Sequence, residues 1–403
     1  MRKILRSVAA ALTAATMLAV MTACSAEEKP KETKQEVTVS SEDKDKIMSE
    51  INGGLADYIG RPTFVAGAFS TIDAKKILSG KRLFLICVDS TNDYMLGMTE
   101  RYKDLVVCCG GDVFVYYADG TADTMITGMQ TAIAEKYDAI DLVGGTTVSA
   151  LDSVIAEAHA AGIYVQDVHS GDITTKFSDD ASVGADFQKA QELLCYEAIR
   201  EIGDPAKVNA LVVADIGLDA TDNPSRQGVK NVFDRYGIKY KFADVAITDW
   251  TTAIAEQVRT ALITDPTINV IIAYYDNMLL YVTPVIEELG INNDDIVIGS
   301  YNGTPGIIDM IKSGSVDFDL GESVGWIGAH GFDCLLRGLS GETVHTEIGT
   351  ALYMINKENI DSYLDPVSGK ATYAFDGVTD IYLEGYSKLW GVDVTSAFKN
   401  ADK

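Results

Sequence analysis

From residue 82 onward, short apolar runs alternate with helical patterns at regular spacing, and this alternation constrains the fold more than any other feature of the sequence. Strand–helix–strand units of this kind predict parallel sheets that are covered by helices on both faces. The runs are residues 83–88, 112–117, 139–143 and 162–166 and, after a polar break at 175–182, residues 209–216, 239–247, 268–275 and 295–300. Because the pattern repeats after the break, we predict two similar doubly wound lobes.

The first 26 residues differ in composition from the rest of the chain. Arg2, Lys3 and Arg6 precede an uncharged run at 7–26, which contains the sequence Met-Thr-Ala-Cys ending at Cys24. This is the pattern of a secretory signal, and the four residues resemble a bacterial lipobox, whose Cys is lipidated and becomes the mature N-terminus. An uncleaved membrane anchor is the alternative, because about 20 uncharged residues can span a bilayer. Both interpretations predict that the remaining chain is extracytoplasmic and tethered.

Acidic side chains outnumber basic ones by 59 to 33, which gives a formal net charge of −26. Such a chain repels a phosphate backbone, so we expect no nucleic-acid partner. Residues 27–46 are rich in charge and poor in apolar side chains, which predicts an extended tether. Apolar residues at near-helical spacing from Ile47 to Ile59 then predict a short helix that packs on the lobe following it.

The cysteines and histidines give no sign of a metal site or a disulfide framework. If Cys24 is lipidated, an odd number of the six cysteines remains, and no Cys/His cluster has metal-ligand spacing. Cys87, Cys195 and Cys334 lie in apolar runs and are predicted to be buried thiols, while a vicinal Cys108–Cys109 bridge would be strained. No nucleophile–base pair is recognisable either, so we expect no enzyme activity, metal or cofactor.

Ligands of open parallel sheets bind beyond the carboxyl ends of the strands, so the residues after each apolar run are candidate ligand contacts. Carboxylates and amides can each hold paired hydroxyls, while Trp and Tyr faces stack on the C–H face of a sugar. The candidates are Asn92, Tyr94, Met95, Asp167, His169, Trp250, Asp276, Asn277, Tyr301 and Asn302. A helix cap is the alternative role for Asp276.

The segments 138–168, 268–278 and 296–331 give the chain a specific resemblance. Over residues 82–360 it resembles the type I periplasmic-binding-protein family, close to the ribose- and galactose-type sugar receptors of ABC importers. The resemblance implies an α/β fold of two doubly wound parallel-sheet lobes joined by a three-crossing hinge, with crossings near 179/180, 321/322 and 349/350. The implied domains are a signal peptide at 1–23, the lipidated Cys, linker and short helix at 24–80, an N-terminal lobe at 81–179 plus 322–349, and a C-terminal lobe with tail at 180–321 plus 350–403.

The resemblance also implies which residues contact the ligand. Matched positions are Asn92, Tyr94, Met95, Asp167, Trp250, Tyr275, Asn302 and Glu322, together with Asp276 as the residue that follows Tyr275. Where the family has an arginine after the fourth strand, this chain has Val168, so either His169 substitutes for the arginine or the contact is absent. For a second family arginine, Asn223 lies at the register and Arg226 is the nearest guanidinium. Asp167 and Glu322 are expected to face each other across the cleft and to favour an open empty protein.

By this resemblance the chain is an extracytoplasmic solute-binding lipoprotein, monomeric and anchored to the outer face of the cell membrane of a Gram-positive bacterium. It would capture a sugar or a sugar-like polyol between its lobes and deliver it to the permease subunits of an ABC importer. The alternative is a ligand-sensing receptor that passes the same bound solute to a membrane sensor kinase. A sugar-responsive repressor shares this fold, but the secretory start and the lack of a basic helix-turn-helix argue against it.

Overall fold

The computed structural model describes residues 41–65, 69–171, 178–216, 219–346 and 352–398. These residues form two parallel-sheet lobes, and their strands and helices are numbered in chain order. The signal segment, Cys24 and most of the charged tether lie outside the described residues. None of the described helices is long and apolar enough to cross a membrane.

The sheet of the N-terminal lobe has five parallel strands in the order β2-β1-β3-β4-β5. The strands are β1 (Arg82–Cys87), β2 (Asp112–Tyr117), β3 (Ala139–Val143), β4 (Tyr164–Ser170) and β5 (Ala181–Gly184). The helices around this sheet are α2 (Ala74–Leu78), α3 (Asp93–Cys108), α4 (Ala122–Ala134), α5 (Asp152–Ala160) and α11 (Val324–Ser340). Strand β3 is buried along its whole length, as expected for a central strand covered on both faces.

The sheet of the C-terminal lobe has six strands in the order β11-β10-β9-β8-β6-β7, and only β11 is antiparallel to its neighbour. The strands are β6 (Asn209–Asp215), β7 (Lys239–Val245), β8 (Val270–Ala273), β9 (Val297–Asn302), β10 (Phe318–Glu322) and β11 (Leu352–Asn356). Its helices are α6 (Phe187–Ile202), α7 (Asp219–Phe233), α8 (Trp250–Thr264), α9 (Asp276–Leu289) and α10 (Pro305–Ser313). Short 3-10 helices lie at Val148–Leu151, Pro205–Lys207, Ile247–Asp249, Asn293–Asp295 and Ile360–Tyr363.

The predicted fold class is confirmed, since both lobes are parallel sheets with helices on both faces. Every predicted apolar run overlaps a strand, and the runs correspond to β1 to β4 and β6 to β9. The sequence patterns did not predict β5, β10 or β11, which are short strands at or near one edge of each sheet. Cys87, Cys195 and Cys334 are buried as predicted, and the five described cysteines are free thiols.

The first crossing between the lobes differs from the expected position at 179/180. Strand β5 pairs in parallel with β4 through Gly184, so the N-terminal sheet continues to that residue and the crossing follows it. The second crossing joins the end of β10, at Glu322, to α11 on the N-terminal lobe. The third lies between Gly341 and β11, and the expected position at 349/350 falls outside the described residues.

The first helix, α1 (Ser41–Leu55), packs on the C-terminal lobe, so the prediction that it packs on the following lobe is wrong. It lies along α6, and the Glu50 carboxylate accepts a hydrogen bond from Arg235 Nη2 at 2.8 Å. Lys44 Nζ donates to Asp204 at 3.3 Å on the same side. The apolar spacing predicted the helix itself, but an amphipathic face does not specify which surface it covers.

The end of the C-terminal tail packs on the N-terminal lobe, so the predicted grouping of residues 350–403 with the C-terminal lobe is wrong for this part. Helix α12 (Thr379–Trp390) packs against α11, with the Trp390 ring 5.0 Å from that of Phe332. The Trp390 Nε1–H also donates to Asp333 at 2.9 Å. The reason is apolar burial, because Tyr382, Tyr386 and Trp390 are almost wholly removed from solvent at this contact.

Candidate functional site

A cavity lies where the carboxyl ends of the two parallel sheets meet. About 680 Å³ of space not filled by atoms lies within it, and this figure includes open solvent. Its described wall consists of Asn92, Tyr94, Met95, Gly144, Gly145, Thr146, Thr147, His169, Gly171, Phe187, Asp215, Thr221, Ile247, Trp250, Tyr275, Asn277 and Asn302. These residues end or follow strands of both lobes, or begin a helix, so the cavity lies between the lobes.

Eight of the fourteen candidate residues lie in this wall: Asn92, Tyr94, Met95, His169, Trp250, Tyr275, Asn277 and Asn302. The other six, Asp167, Asn223, Arg226, Asp276, Tyr301 and Glu322, do not. That the eight contact a ligand stays a prediction.

Five aromatic rings of the wall form a connected arc, which we call the aromatic arc: Tyr94, His169, Phe187, Tyr275 and Trp250. Successive ring centroids are 5.4, 5.2, 6.2 and 6.2 Å apart. The ring planes tilt against each other by 31° to 90°. Two rings come from the N-terminal lobe and three from the C-terminal lobe, so the arc lines both sides of the cavity.

The polar wall residues offer amides, hydroxyls and a carboxylate. Asn92 Oδ1 accepts from the backbone N–H groups of Tyr94 and Met95 and thereby caps α3. Its oxygen is therefore occupied, and its Nδ2 donors can face a ligand. The indole Nε1–H of Trp250 is buried and has no hydrogen-bond partner among the described residues, so a ligand oxygen would satisfy it.

Backbone strain concentrates at this cavity. Among the described non-glycine residues only Lys136, His169 and Asn302 have positive φ, and the last two line the cavity with φ of 74° and 146°. Positive φ is costly for such residues and tends to persist at functional sites. Gly145 supports the same loop geometry, because a Cβ there would lie 2.5 Å from the carbonyl oxygen of His169.

Glu322 lies behind the wall, not in it, and this corrects its predicted role. Its carboxylate accepts from Tyr301, and its Oε2 lies 3.4 Å from the Tyr94 hydroxyl and 3.2 Å from His169 Nε2. Tyr94 and His169 belong to the N-terminal lobe, whereas Tyr301 and Glu322 belong to the C-terminal lobe. Glu322 is 1% exposed, so this network joins the lobes behind the described wall.

Asp167 is fully buried within β4 and also lies outside the cavity wall. Burial raises its pKa well above the usual range, and the nearby carboxylates of Asp179 and Asp141 raise it further. Because neither Asp167 nor Glu322 lies in the described wall, the expected repulsion between them across an open cleft stays a prediction.

Asp276 lies outside the described cavity wall, and it does not cap α9 as the alternative interpretation predicted, because it is the first residue of that helix and Tyr275 is at the N-cap position. Its Oδ1 accepts from Ser300 Oγ at 2.7 Å, and its Oδ2 accepts from the Thr304 backbone N–H at 2.7 Å. Asp319 lies beside it and accepts from the Gly303 N–H at 2.9 Å. Burial raises the pKa of both carboxyls, so the pair holds the 302–304 loop from behind.

Arg226 and Asn223 do not reach the cavity. The Arg226 guanidinium donates to Asp222 at 2.8 Å and to Asp244 at 2.5 Å, and it lies 4.4 Å from the centroid of the Phe242 ring. These contacts direct the guanidinium to acidic side chains of its own lobe. Asn223 is exposed on the same helix, so the family's second arginine has no equivalent in the described wall.

Sequence reasoning missed several wall residues: Gly144, Gly145, Thr146, Thr147, Gly171, Phe187, Asp215, Thr221 and Ile247. The sequence contains a signal that could have predicted two groups of these residues. Asp215 ends β6, and the Gly-Gly-Thr-Thr sequence follows β3 directly. The rule that ligands lie beyond strand ends, applied to every strand, finds both. Phe187 begins α6 just after the first crossing, and only the three-dimensional fold brings it to the cavity.

The described residues contain no group of three or more His, Cys, Asp or Glu side chains arranged to hold a metal ion. Two parallel-sheet lobes around such a cavity define a two-lobed solute-binding protein. Residues 83–343 match the Periplasmic binding protein domain family, and the chain belongs to this family. A search of curated proteins found no match.

Solved structures of similar fold include several solute-binding proteins of ABC transporters. One from Agrobacterium vitis with bound alpha-D-tagatopyranose has a TM-score of 0.62 and 20% identity, covering 71% of this chain and 97% of that chain. One from Actinobacillus succinogenes with bound D-allose has a TM-score of 0.62 and 19% identity, covering 70% of this chain and 100% of that chain. A ribose ABC transporter protein from Conexibacter woesei has a TM-score of 0.60 and 18% identity, covering 73% of this chain and 96% of that chain.

Proposed function

We propose that the protein is an extracytoplasmic solute-binding lipoprotein, which captures a sugar or a sugar-like polyol between its lobes and delivers it to an ABC import permease. The observation that supports this most is the composition of the interlobe cavity. Its wall combines an aromatic arc with amide and hydroxyl side chains from both lobes. The structures similar in fold include ABC transporter proteins with bound tagatopyranose, allose and allitol.

This wall suits a polyhydroxylated ligand on chemical grounds. Amide groups such as those of Asn277 and Asn302 both donate and accept, so each can hold a pair of neighbouring hydroxyls. Aromatic faces such as Trp250 cover the C–H face of a sugar ring, which is apolar. Hydrogen bonds to hydroxyls strengthen once the lobes close and exclude water, so closure and capture are one event.

A thermal-shift screen of sugars and polyols tests the capture step. A ligand present at 100 times its Kd stabilises a protein by roughly 2.7 kcal/mol, which is a clear shift in Tm. We expect at least one sugar or polyol to give this shift and to show a single site by calorimetry. If no sugar or polyol shifts Tm while a ligand of another class does, sugar capture is overturned.

The lipid anchor depends on Cys24, which lies outside the described residues. The basic start, the uncharged run and the Met-Thr-Ala-Cys sequence support lipidation. We expect Cys24→Ala to abolish labelling by a fatty-acid analogue and to release the protein or stall its processing, whereas Cys108→Ala keeps the label. Equal labelling of the wild type and Cys24→Ala would overturn the lipoprotein assignment.

Delivery to a permease is tested in cells with the solute that the screen identifies. We expect deletion of the gene to abolish uptake of the radiolabelled solute, and the wild-type protein to restore it. Cross-linking of the loaded protein on cells should capture integral membrane subunits of an importer. Normal uptake in the deletion strain, with a sensor kinase captured instead, would favour the receptor alternative over transport.

A further inference from the structure

We propose that Glu322 is a positioning residue for the cavity and that His169 accepts a hydrogen bond from a hydroxyl group of the ligand. In this arrangement the Glu322 carboxylate holds the imidazole proton on Nε2, so that Nδ1 is left as an acceptor on the cavity side. The inference rests on the proposed function, since it specifies how the same cavity recognises a sugar or a polyol. At this point the cavity then prefers a ligand group that donates over a carbonyl, ether or carboxylate oxygen.

The backbone of β4 directs the His169 side chain towards the other lobe. The register between β4 and β5 shifts between Val168 and Ser170, and His169 lies in this irregularity with φ of 74°. A bulge of this kind re-aims a side chain. The imidazole packs against the rings of Tyr94 and Phe187, with centroids 5.4 and 5.2 Å away, and it is 7% exposed. Packing therefore fixes its orientation.

Glu322 is the acceptor on the side of this ring that lies behind the cavity wall. Its Oε2 accepts from the Tyr301 hydroxyl, and it lies 3.4 Å from the Tyr94 hydroxyl and 3.2 Å from His169 Nε2. Burial raises the pKa of both tyrosines well above the usual range, and the charge of Glu322 raises it further, so both keep their protons. An ionised carboxylate, which only accepts, satisfies all three neighbours, and this requires the imidazole proton on Nε2.

The second ring nitrogen of His169 has a different environment. Nδ1 has no hydrogen-bond partner among the described residues and, unlike Nε1 of Trp250, it is not sealed from solvent. It borders the loop at Gly145, because a Cβ on that wall residue would lie 4.0 Å from it. His169 itself lines the cavity. Nδ1 is therefore reachable from the cavity, and with the proton on Nε2 it can only accept.

The tautomer of His169 is measured first, without a ligand. The protein is prepared with isotopically labelled histidine, and long-range nitrogen–proton correlation spectra are recorded at about pH 8, where an ordinary imidazole is neutral. The signal of His169 is the one that His169→Asn removes. We expect a protonated Nε2 and a bare Nδ1 in the wild type and in Glu322→Gln, which keeps an acceptor oxygen.

Glu322→Met removes that oxygen, so we expect it to give a mixture of the two tautomers. A proton on Nδ1 in the wild type, or an unchanged tautomer in Glu322→Met, overturns the inference. The wild-type spectrum decides even if Glu322→Met does not fold.

The contact with the ligand is tested by calorimetry with D-allose, D-tagatose, allitol and D-ribose. For the solute that binds most tightly, His169→Leu should weaken binding about tenfold or more, and His169→Asn, which keeps an acceptor oxygen, should weaken it less. His159→Asn is the matched control, since it removes an exposed imidazole of the same lobe and should leave Kd unchanged. Equal Kd values in the wild type and His169→Leu, or an equal loss in His159→Asn, overturn the contact.

Deoxyfluoro derivatives of that solute show the direction of the hydrogen bond, because fluorine cannot donate. We expect one derivative to bind the wild type about tenfold more weakly than the parent solute, and to lose much less on His169→Leu. Equal losses on both proteins for every derivative would show that no ligand hydroxyl donates to His169. Failure of the proposed function is recognised separately, because then no sugar or polyol binds, whereas the tautomer of the unliganded protein is unaffected.

Discussion

The family domain at 83–343 and the two segments that flank it, 41–82 and 344–398, differ in what they contribute. Every described residue of the cavity wall lies in the domain. The flanking segments contribute large buried side chains instead, among them Tyr353, Tyr382, Tyr386 and Trp390. The solved structures of similar fold align with about 70% of this chain and nearly all of their own. The described cavity wall therefore lies wholly in the domain, while the flanking segments add buried packing and further contacts around it.

The first flanking segment crosses from one lobe to the other. At its start α1 packs on the C-terminal lobe, and the Tyr58 carbonyl accepts from the Met354 N–H of β11 at 2.8 Å. Further along, the Phe64 ring lies 5.0 Å from that of Tyr386. The Ser70 carbonyl accepts from the buried Arg337 of α11 at 2.9 Å. These contacts add a connection beyond the three expected hinge crossings.

The second flanking segment is fixed to the hinge itself. Asp376 accepts from Ser323, which lies between β10 and α11 at the second crossing. The same carboxylate accepts from the Thr379 hydroxyl at 2.7 Å, and so it links the crossing to the start of α12. The comparison leads us to expect that changes in the flanking segments affect stability, while changes in the cavity affect affinity.

The largest expected effect tests this separation in the tail. Trp390→Ala removes a fully buried indole together with its hydrogen bond to Asp333. We expect the free energy of unfolding to fall by about 3–5 kcal/mol and the Kd of the solute to stay within about threefold. Urea unfolding and calorimetry measure the two, and Trp390→Phe should lose less stability. A large loss of affinity in a folded Trp390→Ala protein would contradict the expectation that the flanking segments affect stability and not affinity.

The pH dependence of stability tests a third kind of position. Asp141 is a buried acid of the domain that belongs neither to the described cavity wall nor to the flanking segments. Burial raises the pKa of Asp141 to about 8, although Tyr102 and Gln166 donate hydrogen bonds to it. The folded protein then holds a proton that the unfolded chain releases, so stability falls as pH rises from about 4 to 8.

We expect Asp141→Asn to remove up to about 1.4 kcal/mol per pH unit from that slope. Urea unfolding of the wild type and the variant between pH 5 and 8, compared at each pH, isolates this residue from other carboxyls. Parallel slopes for the two proteins would contradict the assigned pKa shift. The Trp390→Ala protein should keep the wild-type slope.

Trp250 tests the expectation that changes in the cavity affect affinity more than stability. Trp250→Ala should weaken binding of the solute by about 1–3 kcal/mol, because Trp250 lines the cavity and its Nε1–H has no described partner. We expect it to lower the free energy of unfolding by less than Trp390→Ala does. Calorimetry and urea unfolding decide, and a collapse of the unliganded protein would assign Trp250 to the core of the C-terminal lobe.

The smallest expected effect lies where the two regions meet. Ser323→Ala removes the hydroxyl that donates to Asp376 and accepts from the Trp326 N–H at the start of α11. We expect a loss of about 1 kcal/mol in the free energy of unfolding and faster proteolysis of the unliganded tail, with unchanged affinity. If affinity changes more than stability does, the flanking segments take part in ligand capture.

The two sheets could be predicted from sequence because burial on both faces makes their strands continuous apolar runs, such as 139–143. The rule that ligands bind beyond the carboxyl ends of strands likewise predicted Asn92 and Trp250 as candidate residues, and both lie in the described wall. It could not predict that Glu322 and Asp276 face away from the cavity, since that depends on Tyr301 and Ser300 reaching them across the sheet. The surface that α1 covers also depends on long-range packing, which no local pattern records.

The positions of the three tryptophans have a practical consequence for spectroscopy. Trp250 lies in the cavity wall, whereas Trp326 and Trp390 are buried where the domain meets the flanking segments. Ultraviolet emission of the native protein therefore combines one fluorophore in the cavity wall with two in the packing between α11 and the flanking segments. A protein with Trp326→Phe and Trp390→Phe would emit from the cavity alone, and one with Trp250→Phe would emit from this packing alone. The chain thus contains its own pair of optical reporters, one for the cavity and one for the integrity of the flanking segments.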